Sequence, residues 1–157
     1  MKQAIAGLLI SFFGFFHQQI LPQMSIYPTS AKVTYVFDGD TIELSGGARV
    51  RYIGMNAPEI AHPKSRAQCF GKEAADENKK LVLGKTVTLV SDTTDKDAYG
   101  RLLRYVYVGN AFINDELVRE GYAVAEPVKP NLKYAQEFYT DQESAKKMKR
   151  GLWSACP

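Results

Sequence analysis

The sequence is poor in metal-binding side chains: its 157 residues include two cysteines and two histidines. Structural zinc sites draw on four such ligands at short, regular spacings. Cys69 and Cys156 lie too far apart in sequence for this pattern, and neither His17 nor His62 has a metal-ligand partner at a useful spacing. The sequence therefore predicts no zinc site.

The sequence also lacks an apolar run of the roughly 20 residues that a membrane-spanning helix needs. The apolar stretch from Ile5 to Phe16 is shorter and follows Lys2, the only Lys, Arg, Asp or Glu before Lys32. A positive start before a short apolar stretch is typical of a secretory signal peptide. No clean cleavage site follows, so an uncleaved membrane anchor is the alternative. We expect residues 1–21 to form this export segment, residues 22–30 a linker, and the protein to be secreted or otherwise extracytoplasmic.

Export bears on the two cysteines. They could be free, partly buried thiols, but oxidising compartments outside the cytoplasm preserve disulfides. We therefore hypothesise a bridge between Cys69 and Cys156.

The rest of the composition is that of one globular domain, which we place at residues 31–157. Hydrophobic residues make up 45% and charged residues 24% of the chain, and we find no internal repeat. The net charge of +3 is compatible with a polyanionic partner, but it equally suits a soluble protein with a slightly basic surface.

Hydrophobic periodicity predicts five short strands with one helix between the third and fourth. The predicted strands are residues 32–37, 41–44, 49–55, 86–90 and 101–108, and the predicted helices are residues 70–83, 113–120 and 132–150. Glycines at 84, 121 and 151 are well placed to end these helices. This order predicts an α+β, mainly β fold: a five-stranded OB-type β-barrel with three α-helices.

Four polar positions stand out on this map. Asp40 lies where the first hairpin enters its second strand, Arg51 lies in the third strand, Glu59 follows Pro58 in the next loop, and Arg101 opens the fifth strand. Each has an ordinary explanation. Asp40 would belong to an Asp-Gly turn, the arginines would be solvated strand residues paired with carboxylates, and Glu59 would be a loop residue without a role.

Five stretches, in order and well spaced, carry a resemblance to the staphylococcal nuclease (thermonuclease) family. They are Val-Phe-Asp-Gly-Asp-Thr at 36–41, Arg-Val-Arg-Tyr-Ile-Gly-Met-Asn-Ala-Pro-Glu at 49–59, Tyr-Gly-Arg-Leu-Leu at 99–103, Leu-Val-Arg-Glu-Gly at 117–121 and Gly-Leu-Trp at 151–153. The resemblance runs from Val33 to Trp153, nearly all of the predicted folded part.

The resemblance implies a nuclease on an OB-type barrel that requires Ca²⁺ and hydrolyses DNA and RNA to 3′-phosphate ends. It further implies three catalytic residues: Arg51, Glu59 and Arg101. It implies three calcium ligands, the last through its backbone carbonyl: Asp40, Asn56 and Ala57. Tyr99 matches a tyrosine near the bound nucleotide. We expect a monomer with no obligate protein partner, with membrane anchoring through the N-terminal segment as the alternative to release.

Elementary chemistry agrees with these roles. Phosphodiester hydrolysis adds negative charge to the phosphoryl oxygens, and fixed cations such as Arg51 and Arg101 stabilise that charge in the transition state. A carboxylate such as Glu59 can activate water as a general base. Calcium is held by carboxylate, amide and carbonyl oxygens.

Two departures from the family pattern modify these expectations. The position of Asn56 usually carries Asp, and an amide ligates calcium without contributing charge, so we expect weaker calcium binding than is normal in the family. The loop at 126–130 lacks tyrosines that the family prototype places near the nucleotide. Base stacking is then poorer, or it moves to another aromatic such as Tyr122.

Two other function classes remain open from the sequence. One is a non-catalytic nucleic-acid-binding barrel, and the other is an exported structural or adhesion module on the same scaffold. Members that have lost activity usually lack one of the arginines or the glutamate, and all three are present here. The sequence therefore favours the enzyme.

Overall fold

A computed structural model describes residues 29–63 and 65–157 of the chain. The predicted export segment at residues 1–21 and residues 22–28 of the predicted linker lie outside the described residues. Ser30, assigned to the linker from the sequence, already lies in the first strand. Within the described ranges, no helix combines the length and apolar character that crossing a bilayer requires.

Strands and helices follow one another in the order that the sequence predicts, with a few short additions. The strands are β1 (Ser30–Val36), β2 (Thr41–Leu44), β3 (Arg49–Tyr52), β4 (Met55–Asn56), β5 (Thr86–Val90), β6 (Leu102–Val108), β7 (Ala111–Phe112) and β8 (Val124–Ala125). The helices are α1 (Gly71–Val82), α2 (Ile113–Arg119), α3 (Ala135–Lys147) and the single turn α4 (Leu152–Ala155).

Five of these strands close into a barrel. Their hydrogen-bonded order is β3-β2-β1-β5-β6, and a further pairing joins β3 to β6. That closing pair is parallel, with Arg51 opposite Leu103, whereas the other barrel pairs are antiparallel. The predicted α+β fold, an OB-type five-stranded barrel with three α-helices, is confirmed.

Period-two alternation in β2 and β3 decides which side chains face the core. Ile42, Leu44, Val50 and Tyr52 are each at most 2% exposed, and each such burial contributes roughly 1.5–3 kcal/mol. Arg51 lies between Val50 and Tyr52 on β3, so its side chain points away from the core, beside its β2 partner Thr41. A register slip of one residue would exchange the two faces, so the core fixes where the arginine points.

The third strand is shorter than the sequence predicts. It ends at Tyr52 instead of Met55, because Gly54 adopts φ 83°, a left-handed conformation that ends regular strand geometry. A side chain at Gly54 would lie 2.2 Å from the Phe138 ring of α3. The chain then re-enters extended structure as β4, which pairs with β8.

A buried asparagine on α1 ties that helix to the barrel. The Oδ1 atom of Asn78 accepts a hydrogen bond from the Tyr52 hydroxyl at 2.9 Å, and its amide nitrogen donates to the Asp38 carbonyl at 2.9 Å. Asn78 is 0% exposed, and loss of one partner would leave a buried polar group unsatisfied, which costs about 1–3 kcal/mol. The loop that enters β2 is thereby held against the helix.

Cys69 and Cys156 form a disulfide in the structure, with 5.9 Å between their Cα atoms. The bond joins the loop before α1 to the C-terminal segment across 87 residues of sequence. On the chain-entropy model, closing a loop of this length stabilises the fold by about 4–5 kcal/mol.

An acidic cluster lies between α2 and α3. Carboxylate oxygens of Asp115, Glu137 and Asp141 lie within 4.8 Å of one another, and Oδ1 of Asp115 is buried without a hydrogen-bond partner. Burial, followed by the neighbouring Asp141, raises the pKa of Asp115 to about 7, although Arg119 opposes the shift. The Arg119 Nη1 atom is 3.9 Å from Oδ2 of Asp115.

This raised pKa predicts a pH-dependent contribution to stability. Because the folded state binds the Asp115 proton more tightly than the unfolded chain, the contribution is complete below about pH 4 and is lost as pH rises through about 7. In chelator, Asp115→Asn should gain in melting temperature relative to wild type as pH rises from about 5 to 8. Asp141→Asn, which removes only the neighbouring charge, should give an intermediate curve. A difference that stays constant across this range would contradict the assignment.

Candidate active site

The turn between β1 and β2 fixes Asp40. Oδ1 of Asp38 accepts a hydrogen bond from the Asp40 backbone N–H at 2.9 Å, which closes an Asx turn. A Cβ atom at Gly39 would lie 2.5 Å from the Cβ of Ala57 and 2.9 Å from that of Ala74. Only glycine therefore lets this turn lie against the loop after β4 and against helix α1.

The Asp40 carboxylate is almost fully enclosed, with 2% of the residue exposed. Its Oδ1 accepts a hydrogen bond from the Thr41 hydroxyl at 3.0 Å, and its Oδ2 accepts one from the Ala57 N–H at 2.7 Å. Oδ1 also forms an ion pair with Nη1 of Arg51. The carboxylate thus joins three segments: the turn, the loop after β4 and strand β3.

Arg51 is the hub of the site. Besides contacting Asp40, its Nη2 atom donates to Oδ1 of Asn56 at 2.7 Å and to the Met55 carbonyl at 3.4 Å. The side chain is 18% exposed. Burial lowers the pKa of Arg51, a shift that the Asp38 charge opposes and the Arg101 charge reinforces. An arginine guanidinium keeps its charge at neutral pH.

Glu59 has a fixed backbone and an accessible carboxylate. Its N–H donates to Oε1 of Gln68 at 2.9 Å, and its carbonyl accepts from the Gln68 N–H at 2.9 Å. A Cβ atom at Gly71 would lie 2.2 Å from the Glu59 carbonyl oxygen, so the start of α1 packs directly on this backbone. The side chain is 49% exposed and lies 3.7 Å from the His62 imidazole.

Arg101 is held by a carboxylate that the sequence analysis did not single out. Its Nε donates to Oδ2 of Asp97 at 2.6 Å, and its N–H donates to Oδ1 at 3.0 Å. Burial alone would raise the pKa of Asp97, but these hydrogen bonds, with one from the Tyr99 N–H, lower it below its ordinary value. The Tyr99 ring is 86% exposed, and the Arg101 guanidinium lies 5.5 Å from its centroid.

The structure brings the site residues that were predicted from the sequence to one side of the barrel. Arg51 contacts Asp40 and Asn56 directly, and it lies within electrostatic range of Glu59 and Arg101. Two clefts adjoin them: one of about 400 Å³ reaches Arg51 and Asn56, and one of about 410 Å³ reaches Tyr99 and Arg101. Tyr122 is partly buried, with its ring 5.6 Å from that of Phe70.

Asp97, Gln68 and His62 are the contacts that sequence reasoning missed. A spacing signal existed for Asp97, which precedes Arg101 by four residues across the 97–101 turn. No such signal marks Gln68, whose side chain meets the Glu59 N–H across a loop.

The donor set around Arg51 suits a hard cation. The oxygens of Asp40 and Asn56 both face one cationic group, and oxygen-only sets are typical of calcium and magnesium. Ala57 adds its N–H to Asp40. The residues present therefore fit a calcium ion, with one carboxylate and one amide as the side-chain ligands.

Comparison with known proteins gives consistent matches. A family model described as "Staphylococcal nuclease homologue" matches residues 49–155, a range that includes Arg51, Glu59 and Arg101. A thermonuclease of Staphylococcus hyicus is 39% identical over 126 residues, which cover 78% of this chain and 75% of that protein. A thermonuclease of Staphylococcus intermedius is 38% identical over 124 residues, 77% of this chain and 74% of that protein. Endonuclease YncB of Bacillus subtilis (strain 168) is 40% identical over 122 residues, 74% of this chain but 58% of that protein.

The crowding at Gly39 predicts that the turn beneath Asp40 does not tolerate a methyl group. Gly39→Ala should destabilise the fold by about 1–3 kcal/mol, because the new Cβ must displace Ala57 or Ala74. Urea denaturation should show a lower midpoint at an unchanged slope. Adding Ala57→Gly removes the closer methyl group and should restore part of the loss. Equal midpoints for Gly39→Ala and wild type would contradict this packing.

Proposed function

Because this chain belongs to the staphylococcal nuclease family, we propose that it is a calcium-dependent endonuclease that hydrolyses phosphodiester bonds in DNA and RNA and leaves 3′-phosphates. The observation that carries the proposal is the contact of Arg51 with both Asp40 and Asn56. The proposal is supported by the meeting of a guanidinium with a carboxylate and an amide oxygen at one point of the barrel.

The two arginines are proposed to bind the scissile phosphate. A guanidinium offers two parallel N–H donors to phosphate oxygens and stays charged. Arg51 projects from β3 and Arg101 precedes β6, the two strands that pair to close the barrel. Asp97 accepts from Nε of Arg101, which leaves the terminal nitrogens of that guanidinium for substrate. As charge develops on the phosphoryl oxygens, two oriented cations stabilise it more than they stabilise the ground state.

Glu59 is proposed as the general base. Its carboxylate is half exposed, so water can reach it, and its backbone is fixed on both sides by Gln68. It would take a proton from the water that attacks phosphorus while the bond from phosphorus to the 5′ oxygen breaks. The products are a 3′-phosphate and a 5′-hydroxyl.

Asp40, Asn56 and the Ala57 carbonyl are proposed to hold calcium. When bound, the ion supplies positive charge beside the phosphate and neutralises it during attack. We further propose export directed by residues 1–21, with a monomeric protein outside the cytoplasm and no obligate protein partner.

Hydrolysis assays test the proposed roles. The purified protein should cleave single-stranded DNA and RNA in calcium and not in chelator. Glu59→Gln should lower kcat by about 10²–10⁴-fold, and Arg51→Lys or Arg101→Lys by about 10²–10³-fold. Glu143→Gln and Arg119→Lys make the same chemical changes on α3 and α2 and should leave the rate unchanged. Binding without cleavage would support a non-catalytic barrel, and absence of both would favour a structural module.

The amide at Asn56 predicts a calcium site that a second carboxylate improves. Asn56→Asp should tighten calcium binding on the order of tenfold, equivalent to about 1.4 kcal/mol, because charge on the ligands raises affinity for calcium. Calorimetric titration measures this directly. Asn110→Asp, in the exposed turn before β7, adds the same charge away from the site and should change little. An Asn56→Asp protein that binds calcium no more tightly than wild type would refute this explanation.

A further inference from the structure

A row of large side chains crosses the outer face of the barrel beside the candidate site. Tyr35 of β1 pairs in register with Glu43 of β2, and Glu43 pairs with Arg49 of β3. Phe37 follows two residues after Tyr35, with ring centroids 4.9 Å apart in an edge-to-face arrangement. The Arg49 guanidinium lies over the Phe37 ring, 4.5 Å from its centroid. Tyr35, Phe37 and Arg49 form what we call the outer-face site.

The outer-face site is continuous with the candidate active site. Arg49 and Arg51 are two residues apart on β3, so their side chains project to the same face. A cleft of about 320 Å³ is lined by Arg49, Tyr99 and Arg101 together. The arginine of the outer-face site therefore shares a groove with one of the proposed phosphate-binding arginines.

Packing does not explain why the Tyr35 ring lies where it does. Tyr35 is 55% exposed, whereas Val33, two residues earlier in the same strand, is 1% exposed. An aromatic ring left in water at a strand position that faces solvent buries little apolar area. Rings next to an arginine are, however, the combination that binds single-stranded nucleic acid, because each base has a face to stack and each nucleotide has a phosphate to pair.

We propose that the outer-face site binds the single-stranded nucleic acid on one side of the scissile phosphate, with a base stacked on the exposed Tyr35 ring and a flanking phosphate paired with Arg49, which the Phe37 ring positions. The inference rests on the proposed nuclease function and extends the substrate path beyond the residues assigned to chemistry. Arginine stacked on Phe37 keeps its N–H edge free to donate to phosphate while its ring contact fixes its orientation.

The negative charge of Glu43 provides a further test of the proposal. Its register position places a carboxylate between Tyr35 and Arg49 on the same face. A phosphate passing over this row meets one unfavourable charge, so removing that charge should strengthen binding, whereas a structural role for the row predicts no gain.

Fluorescence anisotropy of a fluorescein-labelled 12-nucleotide oligo(dT) in chelator, at fixed salt, tests the site. Tyr35→Ala should raise Kd about fivefold or more, the lower end of what loss of a base stack costs. Phe37→Leu, which removes the ring beneath Arg49, should also raise Kd. Phe37→Leu keeps an apolar side chain at a partly buried position and so protects the fold. Arg49→Ala should raise Kd and reduce the slope of log K against log salt by about 0.7–1. Glu43→Gln should lower Kd.

Controls and kinetics separate this inference from the function it rests on. Tyr139→Ala and Arg119→Ala remove an exposed ring and a cation from α3 and α2, and both should bind the oligonucleotide as wild type does. In calcium, the ratio of kcat/KM for the 12-mer to that for a thymidine dinucleotide should fall in the three outer-face variants. Wild-type binding and cleavage with no change in Kd or in that ratio would overturn the outer-face site alone. A wild-type protein that neither binds nor cleaves the 12-mer would overturn both proposals.

Discussion

The contact of the Arg51 guanidinium with the oxygens of Asp40 and Asn56 is the interaction on which the site depends. These residues come from β3, the β1–β2 turn and β4, so one guanidinium joins three segments of the chain. Partly buried cations and anions persist in a protein only when paired. Within the site, the cationic Arg51 and the anionic Asp40 neutralise one another.

The barrel makes this contact possible because the two faces of its strands have different roles. Inward residues of β2 and β3 form the core, and the charged side chains of Glu43, Arg49 and Arg51 lie between them on the other face. The hydrogen bond from Asn78 and the lack of a side chain at Gly39 allow the turn before β2 to pack closely against α1. The lack of a side chain at Gly71 likewise lets α1 pack on the backbone of Glu59. The packed scaffold therefore holds the loops that carry Asp40 and Glu59 in fixed positions, as a preorganised active site requires.

The sequence predicts the fold well because its signals are local. Alternation and glycine stops locate the barrel strands and the helices, and two-residue pairs such as β4 and β8 are too short to leave a pattern. The residues around Arg51 could be named from motifs and from the chemistry of phosphate. Contacts made through the fold, such as Asp97 with Arg101 and Gln68 with Glu59, could not be predicted from the sequence. The residue types alone do not identify which side chains meet. The packing of the Tyr122 ring on Phe70 is hidden for the same reason, since it is set by tertiary structure.

A crystal structure with calcium and thymidine 3′,5′-bisphosphate would test the central claim most directly. We expect calcium on the oxygens of Asp40 and Asn56, seen in anomalous difference density, with the Arg51 guanidinium bonded to a phosphate oxygen of the nucleotide. A complex in which the nucleotide phosphate binds away from Arg51, with the guanidinium still paired to Asp40, would contradict it.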